Sequence, residues 1–368
     1  MKWQRSGREP VSSGRIDENE TDIEASKFGG GRLRRRQDSR HMGLKAAAAA
    51  VGFAVALVLL YQAGRWLETR NANPEARGDL SQRPVQGETI EVDGVAYRQR
   101  TGLTTVLLMG IDRDADVEPS GSRNGGQADF LRLLVIDANS ETVTQVAIDR
   151  DTMTPITTLG VLGNRSGVRT AQVSLSHGFG DGGAQSCELT VEAVSNLLLG
   201  TEIDFYAAMN LDGISVLNDA VDGVTVTLED DFSALDPAMT AGTTLTLRGE
   251  QAEYYVRSRM NVGIGTNEAR MARQETYLSE LSAKLTERIA ESQSFIGELY
   301  DELEAYLTTD MSRGRLINEV WNARNYERTP LVRLAGEHRV GSDGFMQFYI
   351  DEEALEQTVL ALFYERVE

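Results

Sequence analysis

The apolar positions of the chain fall into three patterns. The first is an unbroken run, Ala46 to Gly64 (AAAAAVGFAVALVLLYQAG), 19 residues without a charge. At about 1.5 Å rise per residue it reaches roughly 28 Å, close to a bilayer core, and predicts a transmembrane helix. The second pattern is short and strand-like. Glu88 to Gln99 alternates around Asp93-Gly94, a dipeptide suited to a type I′ turn, and predicts a β-hairpin. Thr104 to Met109 is a continuous apolar run ending at Gly110-Ile111-Asp112, as a strand buried on both faces would be. Phe130–Ile136, Thr142–Ile148, Asp204–Met209 and Val224–Leu228 read as further strands, with two short ones near 331–335 and 345–349. Residues 113–128 and 155–184 are Gly-rich and read as irregular. The third pattern has helical spacing. It predicts helices over Cys187–Leu199, Leu211–Ala220 and Gly249–Arg257, a long one from about Asn267 to Thr308, and others over 313–327 and 351–367.

Strands alternate with helices, which predicts an α/β class with a mixed central sheet covered on both sides. The organisation read from the pattern is a disordered tail (1–45), a transmembrane helix (46–64), a linker and hairpin (65–103), a main α/β domain (104–308) and a C-terminal extension (309–368). In that extension Leu355, Val359, Leu360, Leu362 and Phe363 recur as a core-facing helix stripe would, so it reads as extra packing on the main body.

Charge sharpens the first pattern. Residues 1–45 carry 11 basic and 7 acidic groups, net +4, whereas the rest of the chain carries 26 and 49, net −23. Arg32, Arg34, Arg35, Arg36, Arg40 and Lys45 precede the apolar run. By the positive-inside rule the N-terminus stays cytoplasmic and the C-terminal domain is extracellular, held at the cell membrane by a single pass. The overall net charge of −19 argues against a nucleic-acid partner, because a phosphate backbone would be repelled over most of the surface. A single cysteine, Cys187, excludes a disulfide-stapled architecture. No activating His lies close to it in sequence, so it is not read as a nucleophile.

The candidate chemistry lies in arginines and carboxylates at element ends. The chain has three His and no P-loop, Rossmann or metalloprotease signature. Arg150 follows a strand in Ile148-Asp149-Arg150-Asp151-Thr152, and Arg257 and Arg259 end the helix that starts at Gly249. Arg270, Arg273 and Gln274 are spaced by three and four, on one face of the long helix. Planar guanidinium forks match phosphate oxygens, and several together can hold a pyrophosphate. Asp112 and Asp129 end one strand and begin the next. Mg²⁺ commonly takes one or two carboxylates plus phosphate oxygens, so this pair is its candidate site.

In order, these motifs resemble the LytR–CpsA–Psr (LCP) family from about Thr104 to Leu285. They are Gly110-Ile111-Asp112, the Asp129 strand, Arg150-Asp151-Thr152 and Gly200-Thr201-Glu202-Ile203-Asp204-Phe205-Tyr206. Asp212-Gly213-Ile214, Gly223-Val224-Thr225-Val226 and Leu247-Arg248-Gly249-Glu250-Gln251-Ala252 follow. Tyr255-Val256-Arg257-Ser258-Arg259 and Arg270…Arg273-Gln274 complete the series. The resemblance implies an α/β/α sandwich with an apolar tunnel for a polyprenyl chain. The activity implied is Mg²⁺-dependent transfer of a glycopolymer phosphate from a polyprenyl-pyrophosphate carrier to peptidoglycan. Arg150, Arg257, Arg259, Arg270 and Gln274 would then contact the pyrophosphate, and Asp112 and Asp129 would hold the metal. Two departures stand out. Gln127-Ala128-Asp129 replaces the family's usual Arg-Ser-Asp, and Asn267 replaces an Asp, with Glu268 as its stand-in. They keep two further expectations open, a non-catalytic carrier-binding regulator and a polyprenyl-pyrophosphate hydrolase.

Overall fold

Asp93 and Gly94 both take positive φ, 50° and 76°, as a type I′ turn requires. They join β1 (Thr89–Val92) to β2 (Val95–Gln99) in the hairpin anticipated from the sequence. The computed structural model describes residues 89–112, 125–160, 162–258 and 267–367, with the side chains of 267–271 left out. The expected tail, transmembrane helix and most of the linker lie outside the described residues. Among the described residues no helix is long and apolar enough to cross a membrane.

β3 (Leu103–Asp112), β4 (Gln127–Asp137) and β5 (Thr142–Ile148) follow as an antiparallel meander. The stretch expected to be irregular instead begins with a second hairpin, β6 (Met153–Leu159) and β7 (Arg165–Gln172). Its sequence, rich in Thr and carrying Pro155 and Gly167, masks the alternation that the burial of Thr154 and Ile156 reveals. Next come α1 (Ala184–Leu197), β8 (Phe205–Asn210), α2 (Gly213–Ala220), the small ladder β9 (Thr225–Thr227) with β10 (Thr244–Thr246), and α3 (Glu250–Arg257). The single long helix expected beyond Asn267 is broken into α4 (Asn267–Glu291) and α5 (Gln293–Leu303), because Ser292 takes an extended conformation (φ −152°, ψ 123°). The chain then forms β11 (Leu307–Thr309), α6 (Arg313–Asn322), β12 (Glu327–Arg328), β13 (Val332–Arg333), the hairpin β14 (Gly336–Val340) and β15 (Met346–Ile350), α7 (Glu352–Phe363) and β16 (Tyr364–Arg366).

The central sheet is mixed and runs β11-β8-β3-β4-β5-β12, with β13 also on β5. β8 is parallel to β3, while β12 and β13 are parallel to β5. Residues 307–366 thus supply strands to both edges of the sheet, and β16 pairs with β2. One sheet face carries Leu107, Met109, Ile111, Leu131, Leu133, Val135, Val146 and Ile148 into the main core. Leu189, Ala193 and Leu197 of α1, and Leu355, Val359 and Phe363 of α7, close it. A second core gathers Val224, Leu228, Phe232, Tyr255, Tyr277, Leu281 and Phe295 from the β9–β10 ladder, α3, α4 and α5. The other sheet face, with Leu108, Phe130, Arg132, Leu134, Phe205, Ala207 and Met209, is only half-buried.

Phe363 is fully buried in the main core although it lies at the end of the chain. Phe363→Ala is expected to lower stability by about 3–5 kcal/mol, the usual loss for a buried aromatic truncated in a well-packed core. Chemical denaturation measures this. An unchanged midpoint would show that α7 contributes no core.

Candidate functional site

β3, β5 and β8 run in one direction and β4 against them, so the ends of the first three and the start of β4 share one edge. That edge carries Asp112, Gln127, Asp129 and, just past β5, Arg150. The carboxyl edge of such sheets is where α/β folds hold their ligands. The register here contains a β-bulge. Gly110 pairs with Phe130 and Ile111 with Ala128, so Asp129 has no residue opposite it. Ala128 and Leu131 are both fully buried, which strict alternation forbids for residues three apart. The extra residue reconciles them and turns Asp129 away from the core.

Asp129 meets Arg150 there. Arg150 Nη1 lies 2.5 Å from Asp129 Oδ1, its Nη2 donates to Gln127 Oε1 at 2.6 Å, and its Nε sits 3.5 Å from Asp151 Oδ1. One guanidinium therefore bridges the β4 bulge and the turn after β5. The turn is tied internally: Asp149 Oδ1 accepts from the Asp151 amide at 2.8 Å, and the Asp149 carbonyl accepts from Thr152 Oγ1 at 2.6 Å. Burial pushes the Asp151 carboxyl above its ordinary range, against the opposing pull of Arg150. Asp112, at the end of β3, is exposed and stands opposite Gln127 in the register. Sequence reasoning missed Gln127 and Asp151 as partners of Arg150. The Asp-Arg-Asp triplet was the available signal for the second, and nothing local pointed to the first.

A second group forms at the end of α3. Arg257 pairs with Glu253 one turn back at 3.0 Å and keeps 44% of its side chain exposed. Arg273 behaves differently. It is buried, its Nη1 meets Asp230 Oδ2 at 2.5 Å, its Nε donates to the Tyr255 carbonyl at 3.1 Å and its Nη2 to the Ser258 carbonyl. Its guanidinium also lies over the Phe232 ring, 5.3 Å from the centroid. Gln274 Nε2 donates to the Val256 carbonyl at 3.2 Å. Arg273 and Gln274 thus satisfy carbonyls that the end of α3 would leave bare, and so fix the turn of helix that presents Arg257. Arg273 and Gln274, adjacent on α4, both reach the end of α3. Arg259 lies outside the described residues. Arg270 is placed only by its backbone in α4, and the same holds for Asn267 and Glu268.

The Asp112–Asp129 edge offers two carboxylates, and among the described residues no group of three or more His, Cys, Asp or Glu is gathered as a metal site. Such a pair does not suit a cation that needs an all-protein cage. Mg²⁺ commonly completes its shell with phosphate oxygens and water and so needs fewer protein carboxylates, but Asp129 already holds Arg150. Cys187 is brought to 3.8 Å from His177 Nε2, ten residues away. Both are buried and the thiol is pushed up to about 12 by burial, so no thiolate is available there.

Comparison with known proteins agrees with this architecture. The chain is 25% identical over 217 residues to the polyisoprenyl-teichoic acid–peptidoglycan teichoic acid transferase TagU of Halalkalibacterium halodurans, a match over 59% of this chain and 65% of that protein. It is 26% identical over 333 residues to the cell wall biosynthesis protein LcpA of Corynebacterium glutamicum, covering 82% of this chain and 60% of that one. The chain therefore spans a little under two thirds of the length of these two relatives. Its fold is shared with the crystal structure of protein gbs0355 from Streptococcus agalactiae, with a TM-score of 0.57 at 22% identity over 71% of this chain and 87% of that one. The family model described as the LytR_cpsA_psr family matches residues 67–362, four fifths of the chain and both groups of arginines, and the protein belongs to that family.

Proposed function

We propose that the protein is a membrane-anchored, extracellular phosphotransferase. It would move a glycopolymer from a polyprenyl-pyrophosphate carrier to peptidoglycan, with Mg²⁺ as its cofactor. The observation that carries this reading is the sheet edge where Arg150 meets Asp129, with Asp112 opposite Gln127 on the same edge, in a sheet whose other face is half-buried and largely apolar. A lipid pyrophosphate has the matching division, a chain for the apolar face and charged oxygens for the edge. The relatives named as a teichoic acid transferase and a cell wall biosynthesis protein support the same class of substrate.

The step is a displacement at phosphorus. An acceptor hydroxyl of peptidoglycan forms a new P–O bond to the phosphorus that bears the glycopolymer. The bridging P–O bond of the pyrophosphate breaks, and polyprenyl monophosphate leaves with the electron pair. The hydroxyl proton passes to a carboxylate, for which Glu268 is the candidate carried from the sequence. Such reactions depend on positioning and on neutralising charge more than on covalent chemistry. Arg150 and Arg257, with Arg259 and Arg270 as expected from the motifs, would hold the pyrophosphate oxygens. Arg273 and Gln274 would act from behind, by fixing the end of α3. A bound Mg²⁺ would supply further neutralisation at Asp112 and Asp129.

A carrier-binding regulator is the second reading, and one contact favours it. Gln127 takes one of the two N–H donors of Arg150 Nη2 at 2.6 Å, which leaves the guanidinium with fewer donors for a ligand. A labelled polyprenyl-pyrophosphate glycan, incubated with peptidoglycan fragments and the protein, separates the two. Label on peptidoglycan supports transfer, whereas carrier retained without turnover supports the regulator.

Three outcomes follow from these assignments. Arg150→Ala is expected to stay folded and to lose on the order of 10²-fold or more in turnover, as loss of one preorganised electrostatic donor does. Circular dichroism and the label assay check it together. Arg273→Ala is expected to cost about 3–5 kcal/mol of stability, because it leaves the Asp230 carboxylate without its buried partner. A raised KM at unchanged stability would instead place Arg273 on the substrate. EDTA is expected to abolish transfer and added Mg²⁺ to restore it. Full activity in EDTA would show that the two aspartates work without metal.

A further inference from the structure

We propose that the β14–β15 hairpin is a strap that sets the direction of the Arg150 turn, and that His338 is its positioning residue. This rests on the reading of Arg150 as a pyrophosphate contact. The turn Asp149–Thr152 is closed by its own hydrogen bonds, but those fix only its local shape. Its placement is set from outside, by the Val173 and Ser174 amides, which donate to the Thr152 and Arg150 carbonyls at 2.8 and 3.1 Å, and by a hairpin almost two hundred residues away in sequence.

Three sets of contacts join hairpin and turn. The Phe348 amide donates to the Asp151 carbonyl at 2.8 Å, and Thr152 bridges to Phe348 in a parallel sense. Gln172 Nε2 donates both to Asp151 Oδ1 at 3.1 Å and to the Met346 carbonyl at 2.7 Å. His338 Nε2 lies 3.0 Å from Asp149 Oδ2, and because an ionised carboxylate only accepts, the nitrogen is the donor. The imidazole is itself held against the Phe348 ring, with centroids 4.7 Å apart.

The last contact differs from the others in what it can be spared for. His338 keeps 48% of its side chain exposed, so it is not core packing. Its partner Asp149 belongs to a run in which Asp149 and Asp151 flank Arg150. Asp149 adds to the burial that raises the Asp151 carboxyl, while Arg150 and His338 act against it. Without the His338 donor, Asp149 Oδ2 loses its tie to the hairpin, and the carboxylate, still held through Oδ1 by the Asp151 amide, can swing its other oxygen toward the guanidinium in competition with Asp129. Arg150 would then lose its fixed aim toward the sheet edge.

The test uses the full-length chain in detergent, with a polyprenyl-pyrophosphate-linked glycan, peptidoglycan fragments and Mg²⁺. His338→Phe keeps a ring on Phe348 and removes the donor. It is expected to lower kcat by about 10- to 100-fold, the scale of a misplaced catalytic group, with the thermal midpoint unchanged. His338→Gln, which keeps a donor, is expected to recover most of that loss. In an Arg150→Ala background His338→Phe is expected to cause no further loss. A wild-type kcat in His338→Phe beside an inactive Arg150→Ala overturns the strap and leaves the site reading intact. The same holds for a loss that adds fully to that of Arg150→Ala, or for a fall in midpoint that accounts for the lost turnover. An active Arg150→Ala overturns both.

Discussion

β3 and β4 cannot pair in simple alternation and still bury both Ala128 and Leu131. They lie three positions apart, and a pleated strand sends such positions to opposite faces. Asp129 is the extra residue that resolves the conflict, and much of the site is arranged around it. Its carboxylate leaves the core face at the sheet edge, where it meets the guanidinium of Arg150. That contact and those of the C-terminal hairpin together hold the turn after β5. A well-formed main core beneath makes the bulge rigid, since Ala128, Leu131 and Ile111 are all packed in it.

Arginine has two fates in this protein, and burial decides between them. Arg150 and Arg257 stay partly open to solvent, with 29% and 44% of their side chains exposed, and present planar forks at element ends. Arg273 is buried and its donors are taken by Asp230 and two carbonyls of the α3 terminus. A buried guanidinium without such partners would be very costly. Its role is therefore local and mechanical, holding the helix end on which Arg257 stands. Gln274 acts the same way through Val256, with a neutral amide.

The longer strands of the central sheet, β3, β4, β5 and β8, were legible from their apolar runs, and the β1–β2 hairpin from its Asp93-Gly94 turn. The order of the arginine and aspartate motifs was legible too. Three features were not. The β6–β7 hairpin hides its alternation in threonines, which read as polar yet pack as strand residues when their hydroxyls are satisfied; Thr157, for example, donates to Glu192 at 2.9 Å. The break between α4 and α5 rests on the backbone of one serine inside an otherwise helical pattern. The distinction between Arg273 and its neighbours depends on Asp230, 43 residues away, and spacing along a helix cannot report it.

The C-terminal residues show the same limit and also what lies beyond it. Their helical stripe was readable, and Leu355, Val359 and Phe363 do enter the main core. Their strands are very short: β11 has three residues, and β12 and β13 have two each. β13 falls in the stretch expected as a strand near 331–335, but β11 and β12 are too short to show a periodicity, and yet they complete both edges of the sheet. Edge strands of that length are poor templates for intermolecular pairing, so the sheet is closed off without offering a new long edge. The same segment that protects the edges also brings β14 and β15 to the Arg150 turn. Edge protection and placement of the arginine are thus two consequences of one chain path, which is why the C-terminal region and the site at the sheet edge form a single structural unit.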